Sequence, residues 1–236
     1  TGVQTCALPI SFAEDARGRW YLNLTCEVPD TVAMLPPAPS KDVGIDPGVK
    51  TVLTTSDGEK FERENLTRRY EEKLAKAQKY GKKRLAKKYH AKIKARRQDF
   101  SHKASDRLAK SYQIIYFGDA DSSQIARTRM SKGVLDAGWY QVYSLLQYKT
   151  MRRGGMVLKV GEKFSTVTCS ACLSGCGPRG LSGLSIREWT CQSCGAVHDR
   201  DINSAVNILR SGRGTLREGC DSMPLKGSAN YSTHSI

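Results

Sequence analysis

The sequence predicts an α/β fold with a basic helical segment and a small cysteine-built module. Three observations predict it. Short apolar runs bounded by turn residues alternate with stretches of helical periodicity. Residues 60–103 hold 17 Lys or Arg against 5 Asp or Glu, so they supply twelve of the fifteen net positive charges. Four of the eight cysteines fall into two Cys-x-x-Cys pairs. A chain of 236 residues suffices for one or two domains. The hydrophobic fraction of 39% is well above that of a disordered chain. A net charge of +15 points to a polyanionic partner, most often nucleic acid. No stretch approaches a run of about 18 apolar residues, which excludes a membrane-spanning helix.

The opening TGVQTCALPI has no initiator methionine and no periodicity. It resembles a translated sequencing-adapter oligonucleotide. Residues 1–11 are therefore expected to be an artefact, Cys6 to have no role, and the chain to begin inside a longer gene. In GRWYLNLTCEV, Trp20, Leu22, Leu24 and Cys26 alternate on one face and predict a strand after a turn at Gly18. Four prolines between residues 29 and 39 mark a linker. Val43 and Ile45 lead a strand to Asp46, Pro47 and Gly48 turn the chain, and a second strand covers 50–56. Ser56-Asp57-Gly58 then turns into a short third strand.

Leu66, Tyr70, Leu74 and Ala77 form one helical stripe, and Leu85, Tyr89 and Ile93 form another, with Gly81 between them. A charge run is usually a solvated face. Here the sign is one-sided, which favours a phosphate-facing surface using Lys82, Lys83, Arg84, Lys87, Lys88, Arg96 and Arg97. SYQIIYFGDA (111–120) reads as a buried strand. Leu135, Trp139, Val142 and Leu146 place an amphipathic helix over 131–149. MVLKVGEKFST (156–166) reads as a strand. HDRDINSAVNILR (198–210) reads as a helix with acids in its first turn. Residues 213–236 lack periodicity and are expected to be a disordered tail.

The cysteine spacing is TCSAC, then eighteen residues, then TCQSCG. Two such knuckles bring four thiolates, Cys169, Cys172, Cys191 and Cys194, around a tetrahedral Zn²⁺. Four protein ligands leave no open position for water, so the role is structural. Cys176 is close enough to compete with Cys169 or Cys172. His198 is either a neighbour that orients a ligand or an ordinary polar residue at a helix start. Metal spacing rather than a disulfide framework places the chain in a reducing, cytosolic setting.

Acids stand at strand ends and at a helix start: Asp46, Asp119 and Asp201. Clustered carboxylates hold the hard cations that phosphodiester hydrolysis uses. With DVGIDPGVK, VLDAGWYQVYSLLQYKT and TCSAC…REWTCQSCGAVHDRDINSAVNIL, residues 18–210 resemble the C-terminal part of the transposon-encoded TnpB (OrfB) proteins. These are relatives of the type V CRISPR effector nucleases.

The resemblance implies an RNase H-like (RuvC) nuclease with a helical basic insertion and an inserted zinc ribbon. It divides the chain into a remnant of an N-terminal wedge-like β domain with its linker (12–40), the first nuclease part (41–166), the zinc ribbon (167–196) and the last nuclease helix (197–212). It also implies catalytic Mg²⁺, a guide RNA transcribed from the element, a target DNA, and a bacterial or archaeal cytoplasm near the nucleoid.

Carried over, Asp46 matches the first catalytic acid and Asp201 the last, with Asp199 shaping the turn. Many members carry a Glu-Asp pair after the central strand. Here Gly118 stands where that Glu would be, and Asp119, one residue late, faces the opposite side of the sheet unless a bulge re-aims it. Glu188, beside the second knuckle, is the expected replacement, which gives a centre of Asp46, Glu188 and Asp201; its alternative is a surface strand glutamate. Lys132, Arg187 and Arg200 are expected at phosphates, and Trp189 is expected to pack the ribbon. Two further readings stay open: a guided DNA-binding protein that does not cut, and an unguided zinc-ribbon binder of nucleic acid. This chain alone is expected to be inactive.

Overall fold

The computed structural model describes residues 10–15, 17–25, 35–62, 66–119, 138–180 and 182–220. Five strands form the central sheet: β3 (Asp42–Pro47), β4 (Thr51–Thr55), β5 (Lys60–Glu62), β6 (Ile114–Gly118) and β7 (Met156–Val160). Their order is β5-β4-β3-β6-β7. The first three pair antiparallel through tight turns, whereas β6 and β7 add parallel to β3. Parallel neighbours need crossovers. Helix α2 (Lys83–Ser111) enters β6, and α3 (Trp139–Met151) enters β7.

Side-chain alternation sorts this sheet into two faces. Val43, Ile45, Ile115 and Phe117 turn towards α2 and α3, where Leu108, Val142 and Leu146 complete the larger core. Tyr116 and Val160 turn to the other face, against Ile208 of helix α4 (Arg200–Cys220). Each fully buried aliphatic side chain contributes about 1.5–3 kcal/mol. Helix α4 lies directly on β3 because residue 44 is glycine. A Cβ there would fall 2.1 Å from the Ala205 carbonyl oxygen.

Helix α1 (Leu66–Lys79) and α2 form the predicted basic hairpin, and Gly81 supplies the turn with φ +64°. The rings of Tyr70 and Tyr89 meet across it, 5.8 Å apart. Helix α2 is 29 residues long, roughly 44 Å. Its second half buries Ser101, Ala104, Ser105, Leu108 and Ala109 against the sheet, so the basic segment and the core share one helix. No helix among the described residues is long and apolar enough to cross a membrane.

Several boundaries differ from the sequence reading. Ile10 and Ser11 belong to β1 (Ile10–Glu14), which pairs with β2 (Trp20–Leu24), so an ordered strand starts inside the segment 1–11. Pairing with Leu24 and Asn23, rather than any periodicity of its own, forms that strand. Helix α4 extends through 213–220, part of the expected disordered tail. Arg213 anchors that extension with two bonds to Asp42, of 2.6 and 2.5 Å. The predicted strand 156–166 stops at Val160 and continues as turns. Residues 131–137 of the expected helix, and 221–236, lie outside the described residues.

Candidate functional site

Asp46 ends β3 on the face that meets α4. Its carboxylate accepts a 2.7 Å hydrogen bond from Ser204 Oγ, and it is otherwise turned inward. Burial pushes its pKa up to about 7; the Ser204 bond opposes that shift, and the negative charge of Asp201 adds to it. Asp201 sits in the first turn of α4, and Arg187 Nη1 holds its two carboxylate oxygens at 3.1 and 3.2 Å. Asp199 caps the same helix. Its Oδ1 accepts the N–H groups of Asp201 and Ile202, each at 3.0 Å, while Lys60 Nζ holds its Oδ2 at 2.6 Å. The expected pairing of Asp46 with Asp201, and the turn-shaping place of Asp199, are what the geometry brings together.

Glu188 does not join Asp46 in the described structure. Glu188 lies on the exposed face of β8 (Glu188–Thr190), opposite Asp199 in a two-stranded hairpin with β9 (Val197–Asp199). Nothing in the described structure turns it towards Asp46. Asp119 faces away, as the one-residue shift predicts, and bonds Lys159 Nζ at 2.9 Å.

Glu162 instead reaches the acids. Burial, then the negative charges of Asp46 and Asp119, push its pKa up to about 8. Its Oε1 is buried and bonds nothing among the described residues. A Cβ at residue 118 would fall 2.2 Å from that oxygen. The carboxylate of Glu162 therefore lies in the space a side chain on the central strand would fill. Gly118 pairs with Val160, the last residue of β7, and Glu162 follows two residues later in the turn beyond it.

Glu162 Oε1 is a buried carboxylate oxygen with no hydrogen-bond partner among the described residues, a donor suited to a hard cation. Asp46, Glu162 and Asp201 are hard oxygen donors that fit divalent magnesium-like ions. They do not match the tight spacing of the cysteines. Among the described residues, only the four sulfurs of Cys169, Cys172, Cys191 and Cys194 form a metal-competent set within 4.8 Å of one another.

The cysteine module has the predicted ligand set, which can hold a metal ion such as zinc. Cys169 and Cys191 are buried, with Sγ distances of 3.8 Å between Cys169 and Cys194 and 3.6 Å between Cys172 and Cys191. Cys176 Sγ lies 3.2 Å from Cys191 Sγ, so the fifth thiol does reach the cluster. His198 Nε2 lies 3.0 Å from Cys169 Sγ, and its ring stacks 4.8 Å from the buried Trp189. Trp189 packs the module, as expected.

Helix α4 joins the two centres. Asn203 and Asn207 both donate to the carbonyls of Ser165 and Thr168, and Asn203 Oδ1 accepts the Ser170 N–H at 2.8 Å. Between them on the helix, Ser204 touches Asp46.

Of the expected phosphate contacts, Lys82, Lys83, Arg84, Lys87, Lys88 and Arg96 are exposed. Arg97 is half-buried, and burial lowers its pKa, so it serves packing more than an external phosphate. Arg187 is engaged with Asp201, and Arg200 donates to the Gly183 carbonyl at 2.6 Å. Lys132 lies outside the described residues.

Residues 139–208 match the family model of the Cas12f1-like TNB domain. A Streptomyces pristinaespiralis protein named RNA-guided DNA endonuclease is 34% identical over 242 residues, covering 96% of this chain and 58% of that protein. An Escherichia coli K12 protein named RNA-guided DNA endonuclease InsQ is 29% identical, covering 86% of this chain and 56% of its own length. The TnpB-like protein L79 of Acanthamoeba polyphaga mimivirus is 27% identical over 53% of this chain and 24% of its own. The fold resembles a chain in the cryo-EM structure of the Cas12f1-sgRNA-target DNA complex, with a TM-score of 0.57 and 17% identity. That match covers 82% of this chain and 54% of the other. This chain thus spans little more than half the length of the two endonuclease-named relatives.

Proposed function

This chain belongs to the TnpB family, and from that premise we propose that it is the nuclease-bearing part of an RNA-guided DNA endonuclease acting in a prokaryotic cytoplasm. The observation that carries the proposal is the buried carboxylate of Glu162, which feels the charge of Asp46 from the space beside Gly118, while Asp46 in turn feels Asp201 at the start of α4. The fold is RNase H-like (RuvC), in line with a mixed five-stranded sheet whose acids gather where β3 and β6 end beside the last helix. Its partners are a guide RNA and a target DNA.

Asp46, Glu162 and Asp201 are the residues that would hold catalytic Mg²⁺. When bound, such ions acidify water and stabilise charge on the leaving 3′ oxygen. The chain's own residues set the geometry. Ser204 orients Asp46, Asp199 fixes the start of α4, and Gly118 leaves room for Glu162. Arg187 holds Asp201 in place and stands where it would also meet a phosphate of the cut strand. The four cysteines hold a structural Zn²⁺. The exposed lysines and arginines of α1 and α2 grip nucleic-acid backbone in a salt-sensitive, sequence-independent way.

The reading without cutting rests on the missing acid at position 118. Glu162 supplies a carboxylate in that space and speaks against it. The test is Mg²⁺-dependent, guide-programmed cleavage by a chimera in which this chain replaces the matching part of the Streptomyces relative. Glu162→Gln and Asp46→Asn are expected to lose cleavage by about 100-fold or more, the scale of a lost transition-state contact. Glu188→Gln and Asp119→Asn are expected to keep it. Loss in Glu188→Gln with retention in Glu162→Gln would overturn the assignment.

A further inference from the structure

A shallow concavity adjoins the acids on the other side of the β3–β6 strand ends. Pro47, Phe117, Gly118, Asp119, Tyr140 and Lys159 line it, together with Trp139 and Tyr143 at its helical wall. Two of these residues, Gly118 and Pro47, also border the Glu162 carboxylate: the position a Gly118 Cβ would take lies near both Glu162 Oε1 and Pro47 Cδ. The concavity therefore shares Gly118 and Pro47 with the surroundings of the Glu162 carboxylate.

Its helical wall is fixed. Trp139 is buried, and its indole N–H donates to the Gly48 carbonyl at 3.0 Å, which ties the start of α3 to the turn after β3. The next residue, Tyr140, is 77% exposed, a large ring with no packing of its own. Lys159 is near enough to Tyr140 for the two to interact electrostatically, and its Nζ sits 5.2 Å above the Tyr143 ring. Its carboxylate partner, Asp119, is half exposed, as Lys159 itself is. A solvated pair of that kind exchanges one anion for another at little cost. An exposed ring beside an exchangeable ammonium is how proteins hold an unpaired nucleotide: the base stacks on the ring and the phosphate takes the cation.

Resting on the nuclease reading above, we propose that this concavity seats one unpaired deoxynucleotide of the strand being cut. Its base stacks on Tyr140, and its phosphate replaces Asp119 on Lys159. The ligand class is single-stranded DNA, because a base inside a duplex has no face free for Tyr140.

The chain itself can be tested. A single-stranded oligodeoxynucleotide carrying 5-iodouracil is bound in Ca²⁺, irradiated, and the crosslinked peptide sequenced; affinity is followed by fluorescence anisotropy. The crosslink is expected on Tyr140. Tyr140→Leu should abolish it and weaken binding about tenfold, the scale of one lost base stack, whereas Tyr140→Phe should bind like the parent. Lys159→Gln should lower the slope of affinity against salt by about one phosphate. Melting temperatures control for folding, and Tyr140 is exposed enough for them to stay unchanged. A crosslink confined to α1 and α2, with Tyr140→Leu binding like the parent, would overturn the proposal. The two readings separate cleanly. Cleavage by the chimera with unchanged kcat and KM in Tyr140→Leu removes this seat alone. A Tyr140 crosslink in a chain whose chimera never cuts removes the nuclease reading alone.

Discussion

The four sulfurs of the cysteine module come from two turns eighteen residues apart, whereas the three carboxylates come from residues 46, 162 and 201. Each knuckle places its two ligands by local geometry, and the ligand set can be read from spacing. The acids are placed by sheet register and by one helix crossing, so their meeting depends on packing across the whole domain. The module should therefore fail alone and as a unit, while the acid centre should be tuned in small steps by what packs around it.

Removing the module's metal gives the largest expected effect. Structural zinc supplies on the order of 10 kcal/mol to folding in small peptides. A zinc chelator is expected to abolish amide-exchange protection across 165–199 while β3 and β6 keep theirs. Simultaneous loss in the sheet would break the comparison, showing that the Asn203 and Asn207 bonds make one cooperative unit of both regions.

Gly118→Ala probes the acid centre next. The added methyl meets the end of a flexible Glu162 side chain and the edge of Pro47. Glu162 is expected to swing away rather than the fold to break. Mg²⁺ affinity should fall about tenfold, with a stability change of under about 1 kcal/mol, read by titration and thermal melting. A large melting shift with unchanged Mg²⁺ affinity would place Glu162 outside the metal centre.

The raised carboxyls give a pH signature. In the unfolded chain both acids ionise in the ordinary carboxylate range. In the folded, magnesium-free chain Asp46 and Glu162 keep protons until about 7 and about 8. The folded state then binds more protons than the unfolded one, so stability falls as pH rises from the ordinary carboxylate range to about 8. Zinc-loaded chain without Mg²⁺ should melt at progressively lower temperature from pH 5 to pH 8.5, and Asp46→Asn with Glu162→Gln should flatten that fall. A rising melting temperature in the parent would contradict the inward placement of both acids.

The smallest effect belongs to the contact that joins the two regions at the sheet edge. Lys60→Met removes the 2.6 Å ion pair with Asp199. The pair is partly solvated, so the expected loss is under about 1 kcal/mol, measured by denaturant unfolding. A loss several times larger would mean that the pair, rather than the Asp199 cap, sets the start of α4.

What the sequence made legible follows the same division. The cysteine set needed only spacing. Asp46 and Asp201 were singled out by the resemblance of GIDPG and DRDIN to the TnpB motifs, since position at an element end marks Asp119 equally, and Gly81 was readable because two helical stripes broke around it. The inversion of Asp119 was readable from the two-residue period of a strand. Glu162 was missed because residues 156–166 read as one strand, whereas the strand stops at Val160 and the turn that follows brings residue 162 into the space beside Gly118. The strand β1 was missed for a related reason: pairing with β2 makes it a strand, and pairing is invisible along the chain.

Asn203 and Asn207 hold one end of the cysteine segment at Ser165, Thr168 and Ser170, while the Arg200 N–H holds the Arg187 carbonyl at 2.7 Å at the other. Both anchors grip main chain rather than side chains, so they are indifferent to which residues lie between. A third bond, from Arg200 Nη1 to the Gly183 carbonyl at 2.6 Å, ties the middle of the segment to the same helix start. The segment thereby acts as a bracket that holds the first turn of α4, and Asp201 with it, through main-chain groups.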